Sequence, residues 1–305
     1  MKTTTTDPVG GTRVLTLPAS LLLVDKPASV SSHDVVNVAR RATGERRIGH
    51  HGTLDPFATG LLVLLVGRAT RLARFIDGEP RSYRATIRFG ASTDTDDLDG
   101  TVVREAPLPD PAAVDAAIEK LTGRVMQLPP AFSAKQVGGV RAYAAARRGR
   151  PVELEPVPVQ VHRWEVESRA PHELVARISC GTGTYIRSLA RDLGELTGSA
   201  AHLTALRRLA AGPLDVGMAN SMEQLRAGEA TFLSPLVAIT GMHSVTLDVN
   251  LLRDIAHGRP IPATTGAERV ALVDGDGRVV AVASREGSHW KPSVVLVTPE
   301  ELPLA

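Results

Sequence analysis

The chain has 305 residues, of which 43% are hydrophobic and 22% charged, with a formal net charge of +2 and one cysteine. Such a length suggests about two domains, and the composition is that of a globular protein with ample core. A lone Cys180 excludes an intramolecular disulfide and any cysteine-based metal site, and no stretch approaches the ~18 apolar residues that a membrane span needs. The expected location is therefore the cytoplasm, without a membrane partner.

The small net charge hides an uneven distribution. Of 35 basic residues only Lys2, Lys26, Lys120, Lys135 and Lys291 are lysines. Between residues 33 and 88 ten arginines face only Asp34, Glu45, Asp55, Asp77 and Glu79, and residues 141–150 hold four arginines and no acid. Asp94, Asp96, Asp97 and Asp99 crowd a single loop. Guanidinium forks bind phosphates bidentately, so clustered arginine points to a polyanion such as nucleic acid. A general arginine bias would instead spread the residues evenly.

In chain order, Met1 to Thr12 has no apolar segment of the signal-peptide kind, and residues 1–17 are expected to be a disordered tail. Leu21 to Val24 is a short apolar strand. Ser31 and Asp34 have capping-box spacing, Val35, Val38, Ala39 and Ala42 repeat at helical spacing, and Gly44 is a stop. Residues 47–60 combine two histidines, three glycines and the dipeptide Asp55-Pro56, then run into the aliphatic block Leu61–Val66. Pro56 biases Asp55 towards an extended or turn conformation, so this carboxylate is displayed on a stiff turn beside a buried strand. A second helix carries Leu72, Phe75 and Ile76 and ends at Gly78; its arginines 68, 71 and 74 add to the basic region.

Tyr83, Ala85, Ile87 and Phe89 alternate with polar residues, the period of a half-buried strand. Asp110-Pro111 opens a helix that Gly123 ends. Residues 130–155 show little periodicity beyond one short arginine-rich helix, which predicts a mobile, exposed excursion. Further alternating runs cover Val157–Val161 and Leu174–Cys180, and Gly181 to Thr184 turns the latter into a helix bearing Ile186, Leu189, Ala190, Leu193 and Leu196. Ala201–Leu209 has helical spacing of Leu203, Leu206 and Leu209. From about Ser244 short strands and Asp274-Gly275-Asp276-Gly277 predict a small separate β module with a hairpin.

The chemistry narrows by elimination. Adjacent His50 and His51 point in different directions and lack a third ligand, so no metal is expected. No nucleophile elbow and no nucleotide-cofactor motif is present. What is left is Asp55 as nucleophile or base, with arginines to keep it charged, acting on a nucleic acid without a metal.

The stretch Gly49 to Gly60 resembles the signature of the bacterial TruB family of tRNA pseudouridine synthases. Co-linear resemblances accompany it at Leu22–Pro27 with Ser31-Ser32, Arg81–Ala85, Pro129–Ala134, Cys180–Ser188 and Leu206–Leu209, and the C-terminal module resembles a short PUA-type RNA-binding domain. The resemblance implies an α+β catalytic domain over residues 18–242, built on a mixed, mainly antiparallel sheet flanked by helices, and a PUA-like module over 243–305. It makes residues 130–155 the RNA-gripping excursion. It implies a monomer that isomerises uridine 55 in the T-arm of tRNA to pseudouridine, with no cofactor. In that reading Asp55 is the catalytic carboxylate, acting at C1′ of the sugar or at the base. Arg187 pairs with it, Tyr83 stacks on the flipped uracil, Tyr185 and Leu206 line the pocket, and His50 fills the space left by the extruded base.

Each assignment has a plainer rival. Tyr83 and Leu206 fit a core, Arg187 fits a helix surface, Lys26 fits a supporting role and Cys180 is inert at the end of a buried strand. His51 and Phe132 stand where the family commonly has Thr and Tyr. The arginine clusters would equally serve a tRNA-folding chaperone that makes no use of Asp55. A sister synthase acting on another RNA within a guide complex would carry extra docking segments, and none is evident.

Overall fold

A computed structural model describes residues 19–132, 136–137, 140–141 and 154–302. The expected tail at residues 1–17 and most of the expected excursion at 130–155, including its short helix, lie outside these residues. By internal contacts the chain forms two compact units. Of the described residues, the first comprises those up to Asp55, Leu61–Asp77 and those from Pro213, and the second comprises Pro56–Gly60 and those within Gly78–Gly212.

In the first unit, strand β1 (Ser20–Lys26) is the apolar run expected at Leu21–Val24, and only Asp25 in it is less than buried. Helix α1 (Ser32–Thr43) opens on a full capping box: the Ser31 hydroxyl accepts the Asp34 amide, and the Asp34 carboxylate accepts the Ser31 amide. It closes on Gly44 at φ 73, a left-handed cap that glycine adopts freely. Strand β2 (Ile48–His51) pairs antiparallel with β3 (Thr59–Val66), from Ile48 opposite Val66 to His51 opposite Val63. Every β3 residue from Gly60 on is buried.

The segment expected as a second helix to Gly78 is a 3-10 helix over Gly67–Phe75, and its arginines do not form a free basic stripe. Arg68 donates to the Leu296 carbonyl and the Glu301 carboxylate, Arg71 donates to the Val295 carbonyl, and Arg74 lies 4.7 Å from the Phe75 ring centroid. Two of the three thus fasten the C-terminal region. Their partners lie more than 200 residues away, and no local pattern announces them.

Second-unit strands β4 (Arg81–Phe89), β5 (Ala91–Thr93) and β6 (Val102–Glu105) come next, and β5 and β6 form a hairpin around the acidic loop. Helix α2 (Pro111–Lys120) has the expected Asp110 cap, whose carboxylate accepts the Ala112 amide. It leads into β7 (Gly123–Gln127). Strands β8 (Val157–Ala170) and β9 (Glu173–Cys180), helix α3 (Ile186–Leu196) and strand β10 (Ala201–Ala211) complete the unit. The strands run in the order β7-β8-β9-β4-β10, each pair antiparallel, and Thr59-Gly60 of β3 adds a parallel pair beside Arg207-Arg208. The fold is α+β on a mixed, mainly antiparallel sheet.

Strand β10 corrects the helix expected at Ala201–Leu209. It pairs with β4 from Ala201 opposite Phe89 to Ala211 opposite Arg81. The register shifts between Leu203 and Ala205, and again between Arg208 and Ala210. Each bulge inserts one residue, so after the buried start Ala201–Leu203 the buried positions fall at Leu206, Arg208 and Ala211 instead of alternating. Spacings of three, two and three resemble a helix face in sequence. The pairing partner overrides them.

Gly60 meets β10 at close quarters. Its φ is 97, and a Cβ there would run into the backbone of Arg208. Gly60→Ala should destabilise the protein by at least about 1–3 kcal/mol from the backbone conformation alone, read as a lowered denaturation midpoint.

Back in the first unit, helix α4 (Met222–Ala227) carries a second capping box, between Ser221 and Gln224. Beyond it strand β11 (His243–Thr246), helix α5 (Val249–Ala256) and strands β12 (Arg269–Val273), β13 (Val279–Glu286) and β14 (His289–Val295) build the expected small β-rich region. Asp274–Gly277 turns β12 into β13 as the hairpin predicted. Leu252, Ile255, Leu272, Val280 and the fully buried Trp290 share one core there. Among the described residues no helix is long and apolar enough to cross a membrane.

Candidate active site

The signature turn is built from both ends. β2 delivers His50, β3 receives the chain at Thr59, and Gly52, with φ 78, starts the reversal between them. Leu54, immediately before the carboxylate, is buried and clamped. Its amide donates to the Ser32 hydroxyl, and that hydroxyl donates to the Leu54 carbonyl, both at 2.9 Å. Ser32 is itself buried in the first turn of α1. The half-buried Asp55 is therefore held on a backbone tied to a capped helix, as a group needing fixed aim requires. His50 Nε2 lies 3.1 Å from the Thr53 hydroxyl, so the histidine is part of the same turn.

The role of Ser32 is not visible in its sequence neighbourhood, where only the capping pair Ser31 and Asp34 stands out. Ser32→Ala would leave both backbone groups of Leu54 without this partner in a buried position. The expected cost is about 1–3 kcal/mol in stability, measurable by urea denaturation, together with a lowered turnover.

In the second unit Tyr83 lies on β4 between Ile178 of β9 and Arg208 of β10 and is 6% exposed. Arg208 is almost wholly buried. Burial pulls its guanidinium below the usual arginine value, and the Tyr83 hydroxyl beside it offsets part of that. Leu206 lies on β10 opposite Ala85, also buried, and its carbonyl accepts the Thr59 hydroxyl at 3.5 Å. Cys180 ends β9 with its thiol pushed up to about 11 by burial, which makes it unreactive at neutral pH.

Helix α3 carries the remaining expected residues. Tyr185 precedes it, with its amide and carbonyl both bonded to the side chain of buried Gln127, at 2.8 and 3.1 Å. Arg187 is 3% exposed, which contradicts a surface charge. One guanidinium nitrogen donates to the Thr95 carbonyl at 2.9 Å and stands 3.5 Å from the Asp97 carboxylate; the other donates to the Phe132 carbonyl at 2.8 Å. The last bond uses backbone, so a missing hydroxyl on residue 132 does not affect it. Asp97 is fixed by the Thr95 hydroxyl at 2.6 Å and the Asp99 amide at 3.1 Å.

Asp55 and His50 thus lie in the first unit, and Tyr83, Tyr185, Arg187 and Leu206 in the second. In sequence the acidic loop was only a contrast to the arginine clusters; in the fold it is the seat of Arg187. Four acids in six residues, interleaved with Thr93 and Thr95, mark a self-bonded turn, but nothing local names its partner 90 residues on. Among the described residues no group of three or more His, Cys, Asp or Glu is placed to hold a metal ion.

Comparison with known proteins bears on this geometry. Residues 40–186 match the TruB family pseudouridylate synthase N-terminal domain. Residues 187–235 match the tRNA pseudouridylate synthase B C-terminal domain, and 242–297 the C-terminal part of tRNA pseudouridine synthase II. The chain is 41% identical over 290 residues to tRNA pseudouridine synthase B of Mycobacterium tuberculosis (strain ATCC 25618 / H37Rv), covering 90% of this chain and 95% of that one. To the same enzyme of Thermobifida fusca (strain YX) it is 43% identical over 286 residues, covering 90% and 97%. A chain of a Cbf5-Nop10-Gar1 complex has the same fold at 19% identity, with a TM-score of 0.70 over 100% of this chain and 94% of that one.

Proposed function

The chain belongs to the TruB family of tRNA pseudouridine synthases, and on that premise we propose that it converts uridine 55 in the T-loop of tRNA to pseudouridine, using Asp55 and no cofactor. An enzyme of this class is an isomerase. The N1–C1′ bond of the nucleotide breaks, a C5–C1′ bond forms, the C5 proton leaves and N1 gains one, so no atom is lost overall. The observation that carries the reading is Asp55 on a turn whose preceding residue is clamped at both backbone groups, inside the stretch that matches the family.

The roles follow. Asp55 is the carboxylate that acts on the detaching nucleotide, at C1′ or at the base. Arg187, buried and directed by Thr95, Asp97 and Phe132, pairs with it and keeps it charged. Tyr83 stacks on the flipped uracil and Tyr185 and Leu206 line its pocket. His50 occupies the gap left in the loop and so offsets part of the few kcal/mol that flipping costs. Residues 18–242 carry catalysis, and 243–305 form a PUA-like RNA contact. The enzyme acts as a monomer, in the cytoplasm, on the T-arm, which it recognises by shape, stacking and phosphate contacts.

The test is tritium release from an unmodified tRNA transcript labelled at uridine C5. Wild type should release label, and a transcript with cytidine in place of uridine 55 should release one equivalent less per tRNA. Equal release from both would overturn the position assigned. Tight tRNA binding with no release from any transcript would make the protein a chaperone.

A further inference from the structure

Arg191 lies one turn beyond Arg187 on α3, on the same face, and the proposed function gives it no task. Its contacts are specific. One guanidinium nitrogen meets the Asp96 carboxylate at 3.1 Å, and another donates to the Leu128 carbonyl at 2.8 Å. The same nitrogen and Nε hold Asp192 at 2.8 and 3.0 Å. Ser188, between the two arginines, donates to the same Leu128 carbonyl at 2.8 Å. Three neighbouring α3 residues therefore grip two separate pieces of chain, the acidic turn at Thr95–Asp97 and the segment from Leu128 to Phe132.

The acidic turn needs such a grip. Asp96 has φ 60, a left-handed conformation that a non-glycine residue keeps only when its surroundings enforce it. Three contacts do so here: the Asp96 amide donates to the Thr93 carbonyl at 3.2 Å, the Leu203 amide donates to the Asp96 carbonyl at 3.1 Å, and Arg191 alone holds the side chain from α3. The residues on either side, Thr95 and Asp97, are the ones that touch Arg187.

We propose that Arg191, paired with Asp96, is a positioning residue for Arg187: it pins the acidic turn and the Leu128 segment to α3, so that Thr95, Asp97 and Phe132 meet the Arg187 guanidinium in one arrangement. The inference rests on the reading that Arg187 serves Asp55. Arg191 touches no reacting atom. Without it the Asp96 side chain loses its tie to α3 while the backbone bonds of the turn remain, and a sub-ångström to ångström misplacement at the Arg187 guanidinium slows the reaction without altering how tRNA is gripped. The charges around Asp96 agree. Burial pushes its carboxyl up to about 6, opposed by Arg191 and then Arg187 and reinforced by Asp192. The ion pair is thus present at neutral pH and lost on acidification.

The test measures kcat and KM for tRNA by tritium release in Arg191→Ala, Arg191→Lys, Asp96→Asn and Arg187→Lys. Arg191→Ala and Asp96→Asn should each lower kcat by about 10- to 100-fold with KM within about twofold, and Arg191→Lys should recover part of the loss. Wild-type kcat should fall as pH drops through about 6, and the isosteric Asp96→Asn should not show that step. Wild-type kcat in Asp96→Asn, or a change in KM alone, would overturn the proposal, and Asp96→Asn decides it if Arg191→Ala does not fold. If Arg187→Lys keeps full kcat, the assigned role of Arg187 fails instead. If Arg187→Lys is slow and Asp96→Asn is not, only the positioning role of Arg191 fails.

Discussion

Asp55→Asn should lower tritium release by at least about 10⁴-fold while tRNA binding stays within about threefold of wild type. The substitution keeps the shape of the side chain and removes only its charge and nucleophilicity. An amide neither adds to C1′ or to the uracil ring nor accepts the proton of a neutral partner at this rate. The backbone that carries it is held from elsewhere, by Ser32 on both polar groups of Leu54, so the turn has no reason to move. The melting temperature should fall only modestly, because Arg187 keeps the Asp97 carboxylate and the Thr95 and Phe132 carbonyls when the Asp55 charge is removed. The three readouts are single-turnover release at saturating enzyme, filter binding of labelled tRNA and a thermal melt. Comparable release by the two proteins would remove Asp55 from the chemistry, and a large fall in Tm would make it a structural residue.

The signature turn and the distant residues that hold it were not equally legible in the sequence. The turn itself could be read residue by residue: glycines for reversal, Pro56 for stiffness, Leu61–Val66 for the buried strand behind it. Local rules also gave the α1 capping box, its Gly44 stop, the alternation of Tyr83 to Phe89 and the Asp274–Gly277 hairpin, because each depends on residues a few positions apart. What could not be read depends on partners far along the chain. Ser32 reaches Leu54 across 22 residues, Arg187 reaches Thr95 across 92, and Arg71 reaches Val295 across 224. β10 failed for a different reason. Its two bulges displace the burial pattern from a period of two to one close to helical, so periodicity gives the wrong element unless the pairing with β4 is known. The resemblance to the family supplied what periodicity did not, since it pointed to Arg187 and Leu206 whatever element carried them.

Arg187→Ala should damage stability and turnover together, and the two losses separate by a second substitution. The guanidinium is 4% exposed, with Asp97 at 7%, and it serves the Thr95 and Phe132 carbonyls as well. Removing it leaves a buried carboxylate and two carbonyls short of a donor. Breaking a buried pair in this way costs about 3–5 kcal/mol, enough to lower the urea midpoint clearly. Turnover should fall by about 10²- to 10³-fold, the scale for losing one group aimed at charge in the reacting centre. Arg187→Lys keeps the positive charge, so its stability loss should be smaller. A compact ammonium cannot reproduce the planar fork that reaches two carbonyls and a carboxylate at once, so kcat should stay well below wild type. KM for tRNA should change little in either variant, because a guanidinium this deeply buried is not available to grip the RNA backbone from outside. A rise in KM with kcat intact at saturating tRNA would make Arg187 a phosphate contact and leave Asp55 to act without it.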